Sequence, residues 1–209
     1  MPTTLDLDRW GRRAHFEFFR RYERPFFNVC APVDATAARV RSRAPGGPSF
    51  TLKVFHAALA AANAVEPFRY RLRGDGVIVH EVVHGGSTTL REDDTFAFAY
   101  FDYEAEFGRF AAGARAAIER ARAGEGLGPR DEGDDLCRFS VIPWVAFTSI
   151  TNARRDAPGE SIPTIVFGKV HESGDRWLLP VSVEVHHALM DGLHVGRFFA
   201  ALQEGLDRA

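Results

Sequence analysis

Within the ten residues VHHALMDGLH, near the C-terminus, stand four side chains that can carry a proton or hold a metal: His186, His187, Asp191 and His194. Three chemistries are open to them. The imidazoles can be hydrogen-bonded packing at the end of a strand. With the carboxylate they also make up the ligand types of a zinc or iron site. Or one of them is a general base: a neutral imidazole, with an unperturbed pKa near ~6.5, suits removal of an alcohol proton at neutral pH and contributes roughly 10²–10⁴-fold. The preceding apolar run LLPVSVEV reads as a strand, so His186 and His187 diverge and only one points into a given cleft. That divergence, without any supporting cysteine spacing, speaks against a metal. Gly192 would allow close backbone approach where strand gives way to helix.

Such a loop needs elements to hold it. LDRWGRRAHFEFFRRY repeats large apolar residues (Trp10, Phe16, Phe19) at helical spacing, with Asp6 or Asp8 as its cap. FFNVCAPVD reads as a strand, DATAARVRSRA as a short helix stopped by APGGPS, and FTLKVFHAALAAANAV as a longer helix. FRYRLRGDGVIVHEVV alternates around Gly74-Asp75-Gly76, a hairpin signal, and TFAFAYFDY alternates again. An Ala- and Arg-rich helix leads into the polar stretch RAGEGLGPRDEGDD, a surface loop. RFSVIPWVAFTSI, IPTIVFGKV and RWLLPVSVEV are strand-like, with HESGD as a turn between the last two. A final helix starts near Asp191 and turns Leu193, Phe198, Phe199 and Leu202 to the core. The expectation is an α/β protein: a two-layer α/β sandwich with a mixed, largely antiparallel sheet covered by helices, one domain over residues 1–209.

Twenty-six basic against twenty-eight acidic side chains give a net charge of −2, so no global positive field draws in nucleic acid or an anionic membrane. An anionic ligand must be held locally. Cys30 and Cys137 form no CxxC pair and are too few for a disulfide framework, which fits a reducing cytoplasm. The first residues mix acids and bases, unlike a signal peptide, and apolar stretches fall short of the roughly 18 residues of a membrane span.

VHHALMDGLHVGRFFAALQ is similar to the signature of the chloramphenicol acetyltransferase family, His-His-x-x-x-Asp-Gly followed by a related helix. WGRRAHFEFFR resembles that family's first helix and FSVIPWVAFTS its Ser-x-x-Pro-Trp-x-x-Phe segment, so the resemblance spans nearly the whole chain. His-x-x-x-Asp-Gly alone is less specific, since dihydrolipoyl acyltransferase domains and peptide-synthetase condensation domains carry it without the HFEFF helix. The resemblance implies a coenzyme-A-dependent acyltransferase fold, with acetyl-CoA as co-substrate and no metal. It implies that His187 is the general base with His186 in support, that Ser140 stabilises the oxyanion, and that Arg12 and Asp191 form an architectural ion pair. Phe18, Phe19 and Thr88 would line the acceptor pocket; Trp144 and Lys169 would meet the pantetheine arm and phosphate of the coenzyme. It further implies a homotrimer in which His187 and Ser140 share a pocket at the seam between chains, and inactivation of chloramphenicol as the activity. Val166 and Val170 stand where the family commonly has Thr and Tyr, which leaves open another small hydroxyl acceptor or a ligand-binding relative without turnover.

Overall fold

The computed structural model describes residues 1–128, 133–154 and 157–208, which form ten strands and five α-helices. In chain order these are β1 (Thr3–Thr4), α1 (Arg13–Phe19), β2 (Phe26–Asp34), α2 (Thr36–Arg43), α3 (Phe50–Ala64), β3 (Tyr70–Arg73), β4 (Gly76–Val79), β5 (His84–Leu90), β6 (Phe96–Phe101), α4 (Phe107–Ala123), β7 (Leu136–Val141), β8 (Thr164–Phe167), β9 (His171–Ser173), β10 (Arg176–His186) and α5 (Gly192–Arg208).

The valine-rich run ahead of the histidines becomes β10, which pairs antiparallel with β2 on one side and β8 on the other. The main sheet has the order β2-β10-β8-β7-β5-β6, with β9 on the first residues of β10. The β8–β7 and β7–β5 pairs are parallel and the remainder antiparallel, so the sheet is mixed. Because side chains alternate along a strand, Leu179, Val181, Val183 and Val185 enter the large core with Phe55, Phe139, Ile165 and Phe198, under α2 to α5. Each such burial contributes about 1.5–3 kcal/mol relative to exposure. Ser182, Glu184 and His186 point the other way. No described helix is long and apolar enough to cross a membrane.

The Gly74-Asp75 hairpin forms as expected, with Gly74 at φ +54, but β3 and β4 stay out of the main sheet and join β1 in a small one of their own. Phe16 of α1, Tyr70, Val77, Ala188 and Leu189 make a second apolar cluster there, against which Leu5, Trp10 and Phe19 pack. Thus the loop after β10 is held on two sides, by α1 and the small sheet through Ala188 and Leu189 and by the large core through Met190.

Several expectations are corrected. The first helix does not start near Asp8: Asp6 Oδ1 accepts the N–H groups of Asp8 and Arg9, a local turn that competes with helix, and α1 begins at Arg13 with no side-chain cap. The strand containing Ser140 stops at Val141, since Pro143 has no N–H to offer a ladder. HESGD contains the short strand β9, turning only at Gly174. Leu193 is 61% exposed; the buried stripe of α5 is Val195, Phe198, Leu202 and Leu206. A Cβ on Gly192 would meet nothing within 4 Å, so no close approach occurs there. In RAGEGLGPRDEGDD, residues 129–132 lie outside the described residues.

Candidate active site

Between the end of β10 and the start of α5 lie residues 187–191. The bend is fixed at both ends. His187 N–H donates to the Pro25 carbonyl at 2.7 Å, and Leu189 and Met190 N–H return to the His186 carbonyl at 3.0 and 3.3 Å. The His187 ring lies flat on Phe19, with centroids 3.8 Å apart and planes 9° apart, and Phe27 leans on it at 4.6 Å. Its Nδ1 is 3.2 Å from the Met190 carbonyl oxygen. A carbonyl only accepts, so Nδ1 carries the hydrogen and Nε2 keeps its lone pair. The ring is half-buried and held in one orientation, with Nε2 as the nitrogen that no protein group engages among the described residues.

His186 turns to the opposite side and is buried; its Nδ1 accepts the N–H of Ala188 at 3.2 Å. Burial, then the charges of Arg154 and His187, push its pKa down to about 4. Arg154 sits 3.7 Å over the Phe26 ring, which meets His186 edge-on at 5.0 Å, and its Nε donates to Glu184 at 2.6 Å. His186 therefore stays neutral and serves the bend as a hydrogen-bond acceptor.

Asp191 opens α5, accepting the Leu193 N–H at 3.1 Å, and forms an ion pair with Arg12, which immediately precedes α1. Arg12 also reaches the His187 carbonyl at 3.5 Å. His194 Nδ1 lies 2.9 Å from Asp191 Oδ1, the oxygen that accepts the Leu193 N–H, while Arg12 meets Oδ2. Burial raises the Asp191 pKa, but Arg12 and His194 outweigh it and the carboxyl ends below its ordinary value. The first and last helices are thus tied together at the backbone of His187.

Ser140 is elsewhere. It sits on the face of the sheet away from the helices, its Oγ 3.4 Å from Thr88 Oγ1, beside Val166 on β8. Val166 in turn pairs with Ser182, five residues short of His187 on β10. At ~3.3 Å per residue and ~4.8 Å per strand, Ser140 and His187 are roughly 19 Å apart within one chain. The structure brings together His187, Phe19, Arg12 and Asp191, and separately Ser140, Thr88 and Val166.

A cleft of about 250 Å³ opens beside the end of β7, walled by Phe50, Phe55, Val141, Phe167 and Leu179, with Arg39, Lys169 and Val170 among its lining. Val141 follows Ser140 directly, so the cleft and the serine share one strand end. An apolar slot with cations at its rim fits a thread-like ligand carrying phosphate. Trp144, 65% exposed, adjoins Pro143 of the wall. Phe18 is 59% exposed and contacts Phe19 and Tyr22, at 5.1 and 5.3 Å, in a cluster of three rings leading out from His187. Tyr22 was missed from sequence, although its spacing of four and three residues from Phe18 and Phe19 could have marked it, whereas the Pro25 and Met190 carbonyls carry no residue-type signal at all. Among the described residues no three His, Cys, Asp or Glu side chains gather as a metal site requires.

The backbone superposes on that of dihydrolipoamide acetyltransferase from Azotobacter vinelandii with a TM-score of 0.67 at 19% identity, covering 93% of this chain and 86% of that one. The fold is that of the acyltransferases. The family model described as chloramphenicol acetyltransferase matches residues 2–203. A chloramphenicol acetyltransferase from Streptomyces acrimycini is 34% identical over 205 residues, covering 97% of this chain and 93% of the relative. A solved chloramphenicol acetyltransferase structure superposes with a TM-score of 0.92 at 28% identity, over 99% of this chain and all of the other. The chain belongs to the chloramphenicol acetyltransferase family.

Proposed function

We propose that this chain, acting as a single acetyltransferase domain over residues 1–209, acetylates a hydroxyl of chloramphenicol with acetyl-CoA and so inactivates it, in the cytoplasm. The observation that carries the reading is the His187 ring, locked by Phe19 and the Met190 carbonyl so that only Nε2 is free to accept a proton. Family membership supplies the acceptor and the coenzyme, whose thioester is the acetyl donor.

His187 Nε2 takes the hydroxyl proton as that oxygen bonds to the thioester carbonyl carbon. Ser140 donates a hydrogen bond to the oxygen that becomes negative. The C–S bond then breaks, the ester leaves, and the imidazolium returns its proton to the thiolate sulfur. Arg12 and Asp191 hold the bend; Phe18, Phe19 and Thr88 line the acceptor side; Lys169 and Trp144 meet the coenzyme. Since His187 and Ser140 are far apart in one chain, the site is completed between copies, in a homotrimer with the base from one chain and the serine from the next. Exposed Leu90 and Phe96, on the same face as Ser140, support burial of that face in a seam.

The test is thiol release from acetyl-CoA with chloramphenicol and a panel of other alcohols, in the presence of chelator, beside His187→Ala and Ser140→Ala. Turnover of chloramphenicol is expected, falling roughly 10²–10⁴-fold in the first variant and about 10²–10³-fold in the second. Val166, which puts no hydroxyl beside Ser140, favours one second reading, a different small alcohol as acceptor. Turnover on other members of the panel alone would establish it. Coenzyme binding with no thiol released on any alcohol would leave a ligand-binding relative.

A further inference from the structure

Arg39, on α2, is a cation with no anionic partner among the described residues. Its side chain makes no hydrogen bond or ion pair to any described residue, and its Nε is buried and unsatisfied. The guanidinium lies over the Trp177 ring at 4.0 Å, and Arg43 approaches the same ring at 5.1 Å. Glu172, exposed and cross-strand from Trp177, acts on Arg39 without reaching ion-pair distance. Lys169, also free of ion pairs among the described residues, lines the same cleft as Arg39. Positive charge thus gathers at the mouth of a slot whose walls are Phe50, Phe55, Phe167 and Leu179.

A half-buried guanidinium is costly unless an anion satisfies its donors. Resting on an indole face restrains the guanidinium and leaves its terminal N–H groups without a hydrogen-bond acceptor among the described residues, a fork for two phosphate oxygens. We propose that Arg39 is a specificity-determining residue for the coenzyme: held rigid on Trp177, it grips a phosphate group of acetyl-CoA at the mouth of the cleft, together with Lys169. This rests on acetyl-CoA being the donor. The phosphate is either the 3′-phosphate of the ribose or the diphosphate, which share this chemistry.

Three donors separate the sources: acetyl-CoA, its 3′-dephospho form, and S-acetylpantetheine, which has no phosphate. Arg39→Met keeps apolar packing on Trp177 and removes the charge; Arg39→Lys keeps the charge and loses the fork. For Arg39→Met, KM for acetyl-CoA is expected to rise about tenfold, the scale of one charge-assisted contact, with saturated turnover falling far less. KM for S-acetylpantetheine is expected to match that of the unaltered chain, and Arg39→Lys to fall between. If the penalty vanishes with the dephospho donor, the 3′-phosphate is the ligand; if it persists, the diphosphate is. An unchanged KM for acetyl-CoA in Arg39→Met, or an equal rise for all three donors, overturns the proposal. Should Arg39→Met fail to fold, the same comparison is made on Arg39→Lys, which must weaken acetyl-CoA selectively. Should the unaltered chain release no thiol, the proposed function fails separately, and calorimetric titration with CoA, dephospho-CoA and pantetheine reads the same preference directly.

Discussion

Arg12 and Asp191 lie 179 residues apart in sequence and meet beside the His187 carbonyl. Removing one partner leaves the other charged in a part-buried place, so the loss exceeds what the pair is worth. Arg12→Met is expected to cost about 1–3 kcal/mol in urea unfolding, a figure lowered because Asp191 is a third exposed and keeps His194. Its turnover should fall more than its stability, because the His187 carbonyl loses a donor; Asp191→Asn, which still accepts at the helix start, should fall less. Equal, small effects in both would make the pair mere surface decoration. His186 gives a pH prediction. In the unfolded chain it protonates near ~6.5, whereas folding holds it neutral down to about 4. Between those values the unfolded state binds more protons, so the stability contribution is full above pH 6.5 and is lost as pH falls towards 4. From pH 7.5 to 5 the loss assigned to this group is about 2 kcal/mol. Urea midpoints should show that loss shrinking in His186→Asn, which keeps an acceptor for Ala188. His187 was legible because type and spacing mark it. The carbonyl that sets its tautomer was not, because every residue has one.

At the scale of elements, long periodic runs declared themselves: β2, α2, α3, β6, α4 and β10 fall where alternation or helical spacing put them. A strand that composition hid is β5, HGGSTTL, whose paired glycines weaken the strand signal so that it went unread in the sequence. The structure gives the physical reason for one of them. A Cβ on Gly85 would come 2.2 Å from Phe101 Cε2 across the β5–β6 pair, and Phe101 is itself fixed among Phe55, Phe110 and Phe139. Glycine is there to let a ring lie against backbone, a reason invisible without the partner strand. Gly85→Ala is accordingly expected to destabilise the fold by about 1–3 kcal/mol. Phe101→Leu should recover part of that loss in the double variant, with a coupling measurable by a double-mutant cycle. Additive losses would place the clash elsewhere. Leu193 failed as a core residue for a related reason: hydrophobic spacing fixes a stripe, but which neighbour closes over its edge depends on tertiary contacts.

At the scale of the molecule, the proposed partnership of His187 with Ser140 calls for an oligomer, because the two lie roughly 19 Å apart within one chain. The cleft of about 250 Å³ lies near Leu179, towards the start of β10, and the His187 imidazole lies just past the other end of that strand. With a 23.2 kDa chain, a closed ring of three has a mass of about 70 kDa, which sedimentation can measure. Subunit mixing tests the site itself. His187→Ala and Ser140→Ala chains are each expected to be nearly inactive alone. Co-expressed in equal amounts, they assemble at random; a seam is complete when the chain giving the base is the Ser140→Ala one and the chain giving the serine is the His187→Ala one. Each condition holds half the time, so about a quarter of the sites should recover full turnover. A site made within one chain recovers nothing on mixing, because every chain carries a lesion. The recovered rate therefore reads whether the base reaches its partner across a boundary, independently of how tightly either substrate binds.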